Sequence, residues 1–146
     1  MSLRVTVVNA HRRYRIARKT AAAYVRLVVR NEAKHDGAIS VVFVGSRRMR
    51  KMNAKYLGHH YGTDVLCFPL ETGKKLEGEL FVNLDKARAQ ARVYKVSFGN
   101  EVARLIIHGT LHLVGYDDRT LSQSRNMRKA EDRYLKVWFS TGEGEE

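Results

Sequence analysis

Residues 101–115, EVARLIIHGTLHLVG, carry the reading on which the rest of the chain is arranged. Their apolar side chains occupy most sides of a helix rather than one stripe, which predicts a helix over 101–114 buried in the middle of the fold. Gly115 is where it stops, because glycine suits the left-handed position just past a helix end. Two histidines interrupt the apolar run. His108 and His112 are four apart, so a helix puts both imidazoles on one side, within reach of one metal ion. Two ligands do not make a site, but the turn Tyr116, Asp117, Asp118 can fold back to offer a carboxylate. Two histidines, one carboxylate and a water in the fourth position form a recognised catalytic zinc arrangement. The pair alone favours the plainer reading, two satisfied core or surface histidines with both aspartates merely opening the next helix, and the glycine stop and the carboxylates bring the metal reading level with it. Gly109 stands where the glutamate of HExxH would be, so an ordinary metalloprotease mechanism lacks its base.

Outward from this helix the periodicities change. Leu3–Asn9 alternates β-branched and polar residues as a strand does, and Ala38–Val44 is an apolar run of strand length. Between them, Ala17, Ala21, Tyr24, Val25 and Val28 recur at helical spacing within a helix over about 13–30. Ser46 is the expected N-cap of a second helix reaching Tyr56, with Met49, Met52 and Tyr56 inward and Arg47, Lys51 and Lys55 outward. Asp64–Phe68 and Glu79–Leu84 flank Pro69 and ETGKK and read as an antiparallel hairpin, the first of the two an edge strand. A helix over 84–94 follows, then a loop through Ser97, Gly99 and Asn100. Thr120 and Gln123 match a capping box for a last helix in which Met127, Ala130, Tyr134 and Trp138 recur.

The chain of 146 residues is 44% hydrophobic, enough for one core and short for two. No apolar run reaches the roughly 18 residues of a membrane span, and no long signal core opens the sequence, so a cytoplasmic location is expected. The lone Cys67 cannot form an internal disulfide and reads as a core residue. A net charge of +12 suggests a polyanionic partner. Its distribution is lopsided: residues 1–60 hold 14 Lys and Arg against Glu32 and Asp36, and residues 61–146 hold 13 bases against 13 acids.

The segment HGTLHLVGYDD, His108–Asp118, closely resembles the HGxLHLxGYDH signature of the YbeY family of ribosomal RNA maturation factors. The likeness continues upstream in MNAKYLGHHYGTDVLCFPLE, through Asn53, Tyr56, Thr63, Asp64, Val65, Leu66, Phe68 and Pro69, and in GELFVNLDKARAQA at Gly78–Ala91. It spans about Leu3–Trp138. The resemblance implies a single α+β domain over residues 1–139, a four-stranded mixed sheet packed with about five helices and a metal cleft at the HxxxH helix. Residues 140–146 are left as a disordered acidic tail. It also implies a metal-dependent endoribonuclease that cuts single-stranded ribosomal RNA, notably in maturing the 3′ end of the small-subunit RNA, and that takes part in ribosome quality control. One zinc ion per chain would be held by His108, His112 and Asp118, and the partners would be the RNA and the ribosome or small-subunit proteins.

Two departures from the family pattern matter. Asp118 replaces the third histidine and is itself a competent zinc ligand. Leu57 replaces an arginine expected to face phosphate, which leucine cannot do. His59 and His60 are candidates for a proton or a positive charge nearby, against a plainer role as polar loop residues. Asp117 is the nearest carboxylate to act as a base or to orient a ligand, unless it simply caps the last helix. Arg15, Lys19, Arg26, Arg47, Arg48, Arg50 and Lys51 are the expected RNA contacts, although a charge run on a helix is often only a solvated face. Two rival functions stand beside the nuclease: a metal hydrolase of amide or peptide bonds, and a non-catalytic ribosome-associated RNA-binding factor with a structural metal.

Overall fold

Alternate residues of a strand point to opposite sheet faces, and here one face is consistently apolar: Val7, Ile39, Val41, Phe43, Leu80 and Val82 are all buried in the main core. The computed structural model describes residues 2–32, 36–57, 63–70 and 75–140. Along them run β1 (Leu3–Asn9), α1 (Arg18–Glu32), β2 (Gly37–Val44), α2 (Ser46–Met52), β3 (Val65–Pro69), β4 (Leu76–Asn83), α3 (Leu84–Tyr94), α4 (Phe98–Leu113) and α5 (Leu121–Ser140). The strand order is β1-β2-β4-β3. β1, β2 and β4 are parallel, and β3 runs antiparallel to β4 at the edge. The α+β class, the mixed four-stranded sheet and the edge placement of β3 therefore match the expectation.

α4 packs against α1, α3, α5, β3 and β4 together, which is why it is apolar on nearly every side. Gly109 sits where α4 meets the sheet: a Cβ there would stand 2.8 Å from Leu80 Cδ2 and 3.4 Å from Val65 Cγ2. Its glycine is thus a packing requirement, and a glutamate base at that position would be driven into the core rather than toward a metal. Cys67 is a core residue of this contact. Its thiol points at the Gly109 carbonyl, 3.5 Å away, and burial pushes its pKa up to about 12.

Several boundaries differ from the expected ones; β4 begins at Leu76, three residues before Glu79, and Leu84 already belongs to α3. α1 starts at Arg18, five residues late, and Ala17 is exposed. The chain before it is held out of the helix by side chains: His11 Nδ1 accepts from the amides of Arg13 and Tyr14, and Asn9 pairs with both backbone groups of Ile16. α2 is capped at Gly45 without a side-chain bond, while Asp85 Oδ2 accepts from Ser46 N, so Ser46 is the first helical residue and not the cap. After Met52 the chain continues as a π-helical turn, Asn53–Leu57. The wider turn shifts the register, which leaves Met49 buried but turns Tyr56 outward, 57% exposed. Finally, the expected loop at Ser97–Asn100 is already helix: Ser97 is its N-cap, accepting from Asn100 N at 3.0 Å. The capping box of α5 is present as expected, with Thr120 and Gln123 exchanging two 3.1 Å bonds. Of the expected tail, Ser140 ends α5, and the remainder lies outside the described residues.

Candidate metal centre

The end of α4 is closed by a glycine-dependent motif. Gly115 has φ +115°, its amide donates to the His112 carbonyl, and the Tyr116 amide donates to the Leu111 carbonyl. This reversal brings the next residues back over the last helical turn. Tyr116 is then tethered through its hydroxyl to Glu32, the last residue of α1, which also accepts from Tyr134 and Arg133 of α5. Asp117 accepts from the Asp118 amide at 2.8 Å and pairs with Arg119.

So placed, the Asp118 carboxylate straddles the two histidines. Its Oδ2 is 3.6 Å from His108 Nε2 and its Oδ1 is 3.5 Å from His112 Nε2. Ligand atoms of all three residues lie within 4.8 Å of one another. Donors about 2.0–2.2 Å from a tetrahedral ion stand roughly 3.4 Å apart, so these separations fit ligands around an ion better than direct hydrogen bonds. The histidine rings meet edge to face at 4.9 Å. The donor set fits zinc.

Glu131 completes the geometry, and the sequence reading did not single it out. It is 5% exposed and takes the Nδ1 proton of His108 at 2.7 Å, which leaves Nε2 as the free lone pair facing Asp118. Arg104 pins the other Glu131 oxygen at 2.7 Å and Asp132 at 2.6 Å. A carboxylate between Ala130 and Tyr134 on the buried stripe of α5 was the available signal. Glu131→Gln should lower zinc affinity about 10- to 100-fold while all three ligands remain, as a competitive zinc titration would measure.

Burial alone would lower the His108 pKa, but the Glu131 hydrogen bond and charge, with Asp118 and Asp64, outweigh it and raise the value above 6.5. A raised folded-state pKa stabilises the metal-free protein fully below the ordinary histidine pKa, and that contribution is lost as pH rises through the folded value. Metal needs the neutral ring, so zinc affinity should instead fall as pH drops through that same value. Thermal melts of metal-free protein and zinc titrations across pH 5–9 should show these opposite trends.

The cleft beside the site, about 210 Å³, is lined by Asp64, Glu101, Arg104, His108, Asp118 and Glu131 among others. Glu101 is buried there, its pKa raised by desolvation despite a 2.7 Å bond from Gln90. The hydrogen bond from Arg119 holds the Asp117 carboxyl below its usual range, which suits a residue that orients the turn more than a base. His59 and His60 lie outside the described residues.

The expected RNA contacts do not all line one groove. Arg47, Arg48 and Lys51 line a groove of about 710 Å³ together with His11, Arg12 and Arg13, the last three not foreseen from sequence. Arg15 lies elsewhere, beside Ser97 and Phe98. Arg26 donates to the Leu3 carbonyl at 2.8 Å, whereas Lys19 and Arg50 are exposed and line neither of these grooves. Among the described residues no helix is long and apolar enough to cross a membrane.

Residues 6–138 match a family model described as endoribonuclease YbeY. An endoribonuclease YbeY from Chlorobium phaeovibrioides is 42% identical over 113 residues, covering 77% of this chain and 76% of the relative. One from Chloroherpeton thalassium is 39% identical over 115 residues, covering 79% and 82%. The fold is similar to a solution structure of a Thermotoga maritima protein, with a TM-score of 0.66 at 25% identity over 97% of this chain and 95% of that one.

Proposed function

The chain belongs to the YbeY endoribonuclease family, and from that membership we propose that it is a zinc-dependent nuclease cutting single-stranded ribosomal RNA, including at the 3′ end of the small-subunit RNA. The observation that carries the reading is the convergence of His108, His112 and Asp118 around a space of zinc dimensions. Held by His108, His112 and Asp118, zinc would supply Lewis acidity toward a phosphoryl oxygen and toward water. The chain's own residues do the rest. Glu131 fixes the ring and tautomer of His108, Arg104 fixes Glu131, and Asp117 holds the turn that presents Asp118. Arg12, Arg13, Arg47, Arg48 and Lys51 hold RNA phosphates in the basic groove. The reading places the whole activity in one domain of residues 1–139, acting in the cytoplasm on RNA carried by the ribosome or its small-subunit proteins.

The test is cleavage of single-stranded ribosomal RNA by purified protein, with chelator and with zinc added back. Loss and recovery of cutting support the reading; protein that holds zinc and leaves the RNA intact overturns it. A second reading, a ribosome-associated binding factor whose metal only braces the turn, is favoured by Leu57 alone, because the family's arginine is missing there. Leu57→Arg separates the two. If the position still faces phosphate, restoring one charge-stabilising donor should raise the cleavage rate, by up to about 100-fold in single-turnover assays. An inert wild type with an equally inert Leu57→Arg leaves the binding factor.

A further inference from the structure

On the face of the sheet away from α4, a second groove of about 550 Å³ has Tyr56, Phe68 and Phe81 among its lining, with Arg48, Lys51 and Lys55. The three rings form a chain. Tyr56 and Phe68 meet edge to face at 5.8 Å, as do Phe68 and Phe81. Phe68 and Phe81 pack on the small cluster of Val44, Met49 and Leu66, which forms the floor. Tyr56 is held outward by the π-helical turn and is 57% exposed, with Lys55 Nζ 5.2 Å from its ring centre. Among the described residues no carboxylate pairs with Arg48, Lys51 or Lys55, although Glu79 also lines the groove.

Two further observations tie this groove to the basic groove and to the metal-bearing helix. Arg48 and Lys51 also line the basic groove, so the two grooves share a wall and form one cationic track. Phe68 also follows Cys67, whose thiol contacts the carbonyl of Gly109, the neighbour of His108. The aromatic groove and the metal-bearing helix thus flank the same edge strand, β3.

The structure points to a nucleobase-stacking subsite in this groove, which we infer takes a base of single-stranded RNA against Tyr56 and Phe68 while Arg48, Lys51 and Lys55 hold adjoining phosphates. An exposed tyrosine ring backed by half-buried phenylalanines, beside cations with no carboxylate partner, matches unstacked bases on a phosphate backbone, because every base has a π-face and each phosphate a charge. An acidic peptide would answer the cations but not the rings. The inference deepens the nuclease reading and rests on it.

Anisotropy titrations of the full chain, with a labelled oligoadenylate checked intact by gel and with inorganic polyphosphate, test it. Tyr56→Ala should weaken oligoadenylate binding about 5- to 100-fold, the range for losing one stacked base, and leave polyphosphate binding and the salt slope unchanged. Tyr56→Leu keeps apolar bulk without a π-face and should be as weak, whereas Tyr56→Trp should bind as tightly as wild type or more so. Oligoadenylate binding that survives Tyr56→Ala and Tyr56→Leu overturns the subsite and leaves the nuclease reading standing, as does an equal loss for both probes. Wild-type protein that binds polyphosphate but not oligoadenylate also overturns the subsite. Protein that binds neither overturns the RNA reading with it.

Discussion

His112→Ala is expected to remove RNA cleavage, by about 1,000-fold or more, and to abolish stoichiometric zinc. Under the proposed metal-dependent mechanism several kcal/mol of transition-state charge stabilisation would depend on the ion, and about 1.4 kcal/mol corresponds to a factor of ten in rate. The fold should survive. The His112 side chain is 27% exposed beside Asp118, so its removal opens no closed cavity in the core. Circular dichroism and a melting temperature near wild type would separate loss of the site from loss of the protein. Asp118→Ala should lose zinc in the same way, because both of its carboxylate oxygens face histidine nitrogens. Asp117→Ala should retain it more fully, since Asp117 bonds the Asp118 amide and Arg119 instead. Metal analysis with the opposite ranking would make Asp117 the third ligand.

Neutralising Arg12, Arg47, Arg48 and Lys51 together is expected to weaken single-stranded RNA binding by orders of magnitude at physiological salt. Each phosphate contact releases counterions and contributes about 0.7 to the slope of log affinity against log salt, so four lost contacts should lower the slope by roughly 3. These four residues line one groove. Arg15, Lys19 and Arg26 carry the same charge but lie off it, and neutralising those three should change the slope by much less. Equal effects from the two sets would show that the protein's overall charge, and not this groove, attracts the RNA. Titrations between 50 and 300 mM salt measure both slopes.

The sequence by itself determined whatever depends on neighbours along the chain. The all-round apolarity of 101–114, the stop at Gly115, the four-residue spacing of His108 and His112 and the exchange of bonds between Thr120 and Gln123 are local facts, set by helical periodicity and backbone satisfaction. The family signature over the same residues pointed to position 118 as the candidate third ligand and implied the mixed sheet. What sequence could not reveal depends on residues far apart in the chain meeting in space. Glu131 reaches His108 from α5, 23 positions away, and Glu32 steadies Tyr116 from 84 positions away. Asp85 reaches from α3 to accept the Ser46 amide, so Ser46 is the first helical residue although its residue type suggested the cap. Charge counts placed the basic excess in residues 1–60 but could not say which cations share a groove, because that depends on how β1, β2 and α2 are laid side by side. Tyr56 shows the same limit most clearly. Helical spacing placed it inward beside Met52, yet one π-helical turn, a backbone change no residue there announces, rotated it into the open.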